Sequence, residues 1–340
     1  MQIENLGIFL ESTNNEFENE GVLNPGCITD AEGKTHLLYR AVKKGNYSSI
    51  GYCQIDGDKI LSRMDHPLLK SEFSYESHGM EDPRIIKIED EYYLFYTAYD
   101  GKNVYTAYAS GPDVFNLKKQ GIISPEITYE EALELIPKFY LSEKYMQYGK
   151  HYEQVISSDI LLWEKDTFLF PKKIDGKFVL FVRIMPGIQM MTFESFDQLT
   201  VDFWKDFIRN LGDHILMEPK YWFENRKIGP GAPPIETEDG WIFIYHAVET
   251  SMIGNIYRAG AALLDKTNPR KVIARLPNPL FEPEDGWEKS GEVSNVVFPT
   301  GTQLRGDDLY IYYGAADSKI GAKKVNLKEL LAELKKYPEN

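Results

Sequence analysis

Asp82-Pro83-Arg84-Ile85-Ile86, Glu89-Asp90-Glu91, Tyr92-Tyr93-Leu94-Phe95-Tyr96-Thr97-Ala98-Tyr99 and Val104-Tyr105-Thr106-Ala107-Tyr108-Ala109 follow one another between residues 82 and 109. Pro83 has no N–H to give a sheet ladder, so it belongs at a strand's beginning. A polar turn follows, then an aromatic-rich strand, then a short loop and a second strand with small residues. This is a leading strand followed by a β-hairpin.

The same order recurs. Asn24-Pro25-Gly26-Cys27-Ile28 leads to Glu32-Gly33-Lys34, the strand His36–Ala41 and its answer Ser49–Cys53. Lys165–Pro171 leads to Asp175-Gly176-Lys177, Phe178–Arg183 and Ile188–Phe193. Gly229–Ile235 leads to Glu238-Asp239-Gly240, Trp241–His246 and Tyr257–Ala262. Asn295–Gly301 leads to Arg305-Gly306-Asp307-Asp308, Leu309–Gly314 and Ile320–Lys324. Repeated antiparallel units of this kind predict an all-β fold, a five-bladed β-propeller spanning residues 1–340 as one domain. A β-sandwich would explain the hairpins but not the recurring order. At about 68 residues per unit, the chain exceeds the roughly 40–45 of a minimal blade, so insertions are expected.

Two insertions stand out. Residues 126–158 carry a helical pattern with a capping box at Thr128-Tyr129-Glu130-Glu131 and a stop at Pro137. Residues 194–226 contain Phe203, Trp204, Phe207 and Ile208, which fit a short helix or a lid over a cleft. At the C-terminus, residues 326–336 place Leu327, Leu330, Leu331 and Leu334 on one helix face. That face would pack on a blade or on a neighbouring subunit, which leaves a homo-oligomer open.

Composition narrows the function. The chain has 340 residues, of which 13% are aromatic, including 22 Tyr and 18 Phe, a bias that suits sheets. A net charge of −14 argues against nucleic acid or an anionic membrane as a partner. Cys27 and Cys53 form no disulfide framework or metal-binding motif, which suits a reducing compartment. No targeting segment and no membrane span is evident, so a cytoplasmic protein is expected. The six histidines are scattered, with no HxH or HExxH, and no metal is expected. There is no phosphate loop and no GxSxG.

In a propeller the leading strands line a central funnel, so residues far apart in sequence converge. Asn24, Asp82, Lys165, Lys227 and Asn295 lie at or just before leading strands. Arg40, Arg183, His246 and Asp317 lie at or just after the ends of aromatic strands. Each alone is compatible with a buried, satisfied side chain or a solvated turn. Together, Arg183, His246 and the two lysines suggest an anion site. Asp82, between Glu81 and Pro83-Arg84, is a carboxylate at a strand mouth that an arginine could hold or tune.

These stretches resemble glycoside hydrolase family 130, the β-mannoside phosphorylases and related β-mannosidases, which are five-bladed propellers. The resemblance is carried by Asn24-Pro25, Leu37–Ala41, Gly79–Arg84, Lys227–Ile235, Gly240–His246, Tyr257–Asp265, Val297–Gly301 and Tyr312–Asp317, in the family's order. It implies that Asp82 is the catalytic acid and that Arg183, Lys227 and His246 bind phosphate. Lys165 would be a further basic contact, and Asn24, Arg40 and Asp317 would touch the sugar. It implies an inverting, hexosyltransferase-type reaction in which phosphate attacks a β-mannoside and releases α-mannose 1-phosphate. No cofactor is implied, since inorganic phosphate is a co-substrate. A β-mannosidase using water is the alternative, with Glu292 or Asp317 drafted as base. A carbohydrate-binding propeller without catalysis is the third reading.

Overall fold

The computed structural model describes residues 1–136, 141, 143–155 and 160–339. The fold is mostly β, and each of the five expected hairpins forms. The aromatic strands are Thr35–Lys43, Glu91–Tyr99, Phe178–Ile184, Gly240–Ser251 and Asp308–Ala315. Each pairs antiparallel with a leading strand on one side and an answering strand on the other. The leading strands are Gly21–Thr29, Gly79–Ile88, Glu164–Leu169, Lys227–Pro230 and Val297–Arg305. In the fourth unit Pro233-Pro234 interrupts the ladder, and a short strand, Ile235–Thr237, resumes it.

Each unit also has an outer strand that the sequence pattern does not mark. Four of these are short: Lys59–Arg63, Lys118–Ile122, Ile215–Met217 and Val272–Arg275. Edge strands like Lys59–Arg63 are mostly exposed, so they carry no buried apolar face to read. The fifth is the N-terminal strand Ile3–Leu10, which pairs antiparallel with Lys319–Asn326. The last sheet is therefore built from both ends of the chain. The first two units join through a single parallel pair, Ser48 with Gly79.

Leading strands from different units pack directly on one another. A Cβ on Gly26 would stand 2.6 Å from the Pro83 carbonyl oxygen, so only glycine allows this approach. Arg84 Nε donates to the Gly231 carbonyl at 2.7 Å, tying the second leading strand to the fourth.

A second repeat is made by side chains. Glu18, Glu76, Glu224 and Glu288 are fully buried in short turns just before four of the leading strands. Each accepts a hydrogen bond from a tyrosine of the aromatic strand: Tyr39 at 2.7 Å, Tyr96 at 2.7 Å, Tyr245 at 2.7 Å and Tyr313 at 2.6 Å. Each also faces a cation: Arg63 at 2.6 Å, Lys119 at 2.7 Å, Arg275 at 2.6 Å and Lys323 at 3.9 Å. A buried charge so paired is satisfied, and removing its partner is costly. In the third unit Val182 stands in the tyrosine's place. There Tyr145, from the helix Glu143–Val155, accepts from Gln189 Nε2 at 3.1 Å.

The first insertion begins as expected, with the helix Tyr129–Leu135 capped reciprocally by Thr128 and Glu131. Pro137, its expected stop, lies outside the described residues. The second insertion is a helix, Val201–Arg209, and not a lid. Its Trp204, Phe207 and Ile208 are buried in the core, and Trp204 Nε1 donates to the Ile123 carbonyl at 2.7 Å. The C-terminal helix Leu327–Leu334 is capped by Asn326 and buries Leu330, Leu331 and Leu334 against its own chain.

Candidate active site

Three leading strands share one local irregularity. Register shifts fall between Leu23 and Gly26, Glu81 and Arg84, and Lys165 and Phe168. At each shift one residue adopts a left-handed backbone: Asn24 (φ 50°), Asp82 (φ 51°) and Asp166 (φ 63°). Asn and Asp tolerate this region better than other side-chain-bearing residues. A bulge breaks the alternation of the strand and re-aims the side chain. All three residues line one cavity of about 210 Å³. The third counterpart of Asn24 and Asp82 is thus Asp166, a correction to the reading that placed Lys165 there. Its signal was present in sequence as a third Asx at the head of a leading strand.

Arg40, Arg183 and His246 come from aromatic strands. Successive side chains on a strand point to opposite faces. With Tyr39 and Tyr245 locked onto Glu18 and Glu224, the next residues, Arg40 and His246, face the cavity. The wall also contains Glu81, Lys165, Lys227 and Asp317, with Tyr257 and Phe298 as aromatic surface. The eight residues given a role by the resemblance all line this one hollow, whereas Asn295, expected beside them at a leading strand, is not among its lining residues. Glu81 had been noted only as the neighbour of Asp82, and Asp166, Tyr257 and Phe298 were missed.

The cavity has two chemically distinct sides. On one, Asn24 Nδ2 donates to Asp82 Oδ1 at 2.7 Å, and Arg40 pairs with Glu81 at 2.8 Å. Lys165 stands 3.9 Å from the other Glu81 oxygen. Burial raises the Asp82 carboxyl above its ordinary value and Glu81 adds to this, while Arg40, Arg84 and Asn24 pull the other way. Burial and the nearby Asp82 likewise push Asp317 up to about 6. A carboxyl whose hold on its proton is strengthened by burial can donate that proton to a departing oxygen.

On the other side lie Arg183, Lys227 and His246, gathered around Asp166. Arg183 Nε donates to Asp166 Oδ2 at 2.7 Å, and His246 Nε2 stands 3.8 Å from the same oxygen. Gly229 leaves room for this cluster: a Cβ there would fall 2.3 Å from the His246 ring and 2.6 Å from Arg183 Cδ. Burial opposes the charge on Asp166, but the Arg183 and Arg84 guanidiniums outweigh it and hold its carboxyl below the usual carboxylate range. Burial pushes Lys227 well below the usual lysine range, and Arg183 adds to the shift. Burial brings His246 down to about 3, so it is a neutral hydrogen-bonding group and not a third cation. A site of this make-up lacks an anion in its balance: two cations and a polar imidazole crowd together with a single carboxylate among them.

A family model described as β-1,4-mannooligosaccharide phosphorylase matches residues 7–336. The chain belongs to glycoside hydrolase family 130. Relatives of this family-130 chain include the 1,2-β-oligomannan phosphorylase of Thermoanaerobacter sp., 33% identical, with 95% of this chain and 96% of that protein covered. The β-1,2-mannobiose phosphorylase of the same organism is 34% identical, covering 94% and 95%. Among solved structures, the β-1,2-mannobiose phosphorylase of Listeria innocua bound to β-1,2-mannobiose shares the fold, with a TM-score of 0.71 and 23% identity. It covers 98% of this family-130 chain and 99% of its own.

Proposed function

We propose that the chain is a five-bladed β-propeller enzyme that cleaves β-mannosides with inorganic phosphate and inverts the anomeric centre. The sugar lies against Asn24, Arg40 and Asp317. Asp82 protonates the departing glycosidic oxygen. Arg183, Lys227 and His246, with Lys165 at the rim, hold phosphate against the mannosyl C1, and α-mannose 1-phosphate leaves. The reaction is a reversible hexosyl transfer. A β-1,2 linkage is supported by the names of the two relatives matched over 95% and 94% of the chain. A cytoplasmic location fits a product that would be lost outside the cell. No helix among the described residues is long and apolar enough to cross a membrane.

The observation that carries this reading is the convergence of Arg183, Lys227 and His246 on the cavity that holds Asp82. An inverting hydrolase needs a base about 6.5–9.5 Å from the acid, with water between. Of the other wall carboxylates, Glu81 is tied to Arg40 and Asp166 to Arg183, while burial and the nearby Asp82 push Asp317 up to about 6 and disfavour the ionised form a base requires. A phosphorylase needs no base, only cations that position a dianion for attack.

The test is to incubate the enzyme with β-1,2-mannobiose, with and without phosphate, and to follow mannose 1-phosphate by phosphorus NMR. Phosphate-dependent mannose 1-phosphate is expected. Equal release of mannose without phosphate would establish hydrolysis instead. In the reverse direction, mannose 1-phosphate offered with a panel of acceptors should yield β-1,2-linked products, and β-1,4 products would overturn the linkage.

A further inference from the structure

Asp166 is out of place in an anion site. A carboxylate among Arg183, Lys227 and His246 cancels one positive charge and repels an incoming dianion. Its Oδ2 has a structural use, since it accepts from Arg183 Nε at 2.7 Å. Its Oδ1 does not. Arg84 Nη2 is 3.9 Å from it, too far for a hydrogen bond. Arg84 Nε and Nη1 donate to the carbonyls of Gly231 and Asp82, and Nη2 makes no hydrogen bond. Asp166 is 5% exposed and lines the cavity. Its bulged, left-handed backbone aims it there as Asn24 and Asp82 are aimed. A buried carboxylate oxygen with unused lone pairs needs a donor from whatever fills the cavity.

We propose that Asp166 is the residue by which the anion site selects phosphate over sulfate, by accepting a hydrogen bond from a protonated phosphate oxygen. The inference rests on the phosphorylase reading above. Both ionic forms of phosphate near neutral pH carry at least one P–O–H. Sulfate is a dianion of the same shape with no proton to give, so it would bring a bare oxygen against the Asp166 carboxylate. Leaving a buried charged acceptor unpaired and facing a like charge disfavours the analogue strongly. Arsenate, protonated like phosphate, would pass the same test. Arg183 and a protonated Lys227 offer only donors, and the acceptor nitrogen of the neutral His246 carries no charge to repel a bare sulfate oxygen, so none of the three makes this distinction. The one charged acceptor among them confers it.

The experiment measures inhibition of phosphate-dependent cleavage of β-1,2-mannobiose by sulfate and by arsenate, each against varied phosphate at constant ionic strength. In the unmodified enzyme, sulfate should compete about 100-fold more weakly than arsenate. Asp166→Asn keeps an acceptor for Arg183 and tolerates the left-handed backbone, but it turns the second oxygen into a donor. In that variant sulfate should compete on a par with arsenate, and phosphate binding should weaken far less than the selectivity does. Comparable competition by sulfate and arsenate in the unmodified enzyme would overturn the proposal without any variant. So would an Asp166→Asn enzyme that folds, uses phosphate and keeps the original selectivity. Absence of any phosphate dependence in the unmodified enzyme would instead remove the phosphorylase reading itself.

Discussion

Replacing Lys227 by Met should make the protein more stable and a worse enzyme. The ammonium is buried near Arg183 and Lys165, both of which repel it, and its nearest aromatic contact is the Tyr257 ring at 5.8 Å. Among the described residues no carboxylate lies within ion-pair distance of it. Its folded pKa lies below 10.5, so the unfolded state binds the proton more readily. Stability contributed by this group therefore rises with pH up to the free-lysine range, and at neutral pH the charged group is a cost. Met keeps the volume and removes that cost. What is lost is a charge-assisted contact to phosphate, typically about 1.5–3 kcal/mol, or roughly 10- to 150-fold in affinity. Phosphate should also protect the unmodified fold by about 2.7 kcal/mol at a concentration about a hundred times its Kd. Two assays suffice. Thermal melts with and without phosphate should show a higher Tm for Lys227→Met and, at that same concentration, a phosphate-induced stabilisation cut to about 0.3–1.4 kcal/mol. Kinetics at saturating sugar should show the phosphate KM rising by that factor, with the sugar KM little changed. A variant with an unchanged phosphate KM, or one that phosphate still stabilises normally, would remove Lys227 from the site.

Asp82→Asn should lower kcat by at least about 100-fold, the usual contribution of a general acid, while calorimetry still detects sugar binding; near-normal turnover would mean the acid is misassigned. Asp317, held near 6 in the fold against an ordinary 3.8, binds its proton more tightly folded than unfolded, so its contribution to stability falls as pH rises between those values. Denaturant titrations of Asp317→Asn should lack that fall, narrowing the gap between the two proteins' stabilities at pH 4 to 6 in favour of the variant by up to about 3 kcal/mol, and parallel pH profiles would contradict it. Glu224→Ala should destabilise the protein by about 3–5 kcal/mol, because it leaves Arg275 buried without its partner. It should also weaken phosphate use, since Glu224 ties the turn before Lys227 to Tyr245, the neighbour of His246; a melt that matches the unmodified protein would show that the interlock does not bear load.

Much of this was legible before any coordinates. The hairpins follow from continuous aromatic-rich runs such as Trp241–His246, buried throughout and bounded by Glu238-Asp239-Gly240, because turn chemistry and apolar runs are local properties. Asp82, Arg183, Lys227 and His246 could be named because they stand at the starts or ends of the recurring strands, and the resemblance to family 130 supplied their expected roles. The outer strands could not be read, since edges carry no buried face. The pairing of Ile3–Leu10 with the chain's other end depends on a contact across more than 300 residues, which no window of sequence contains.

The chain by itself determined the repeat, the strand types and the residues able to do chemistry, because each is written in neighbouring side chains. Tertiary structure decided which of them are charged and which way they face. His246 is neutral because of what encloses it, and Asp166 is an anion because Arg183 and Arg84 lie beside it. Three bulges turn Asn24, Asp82 and Asp166 into one hollow. Burial and long-range neighbours set those properties, and neither exists until the sheets have packed.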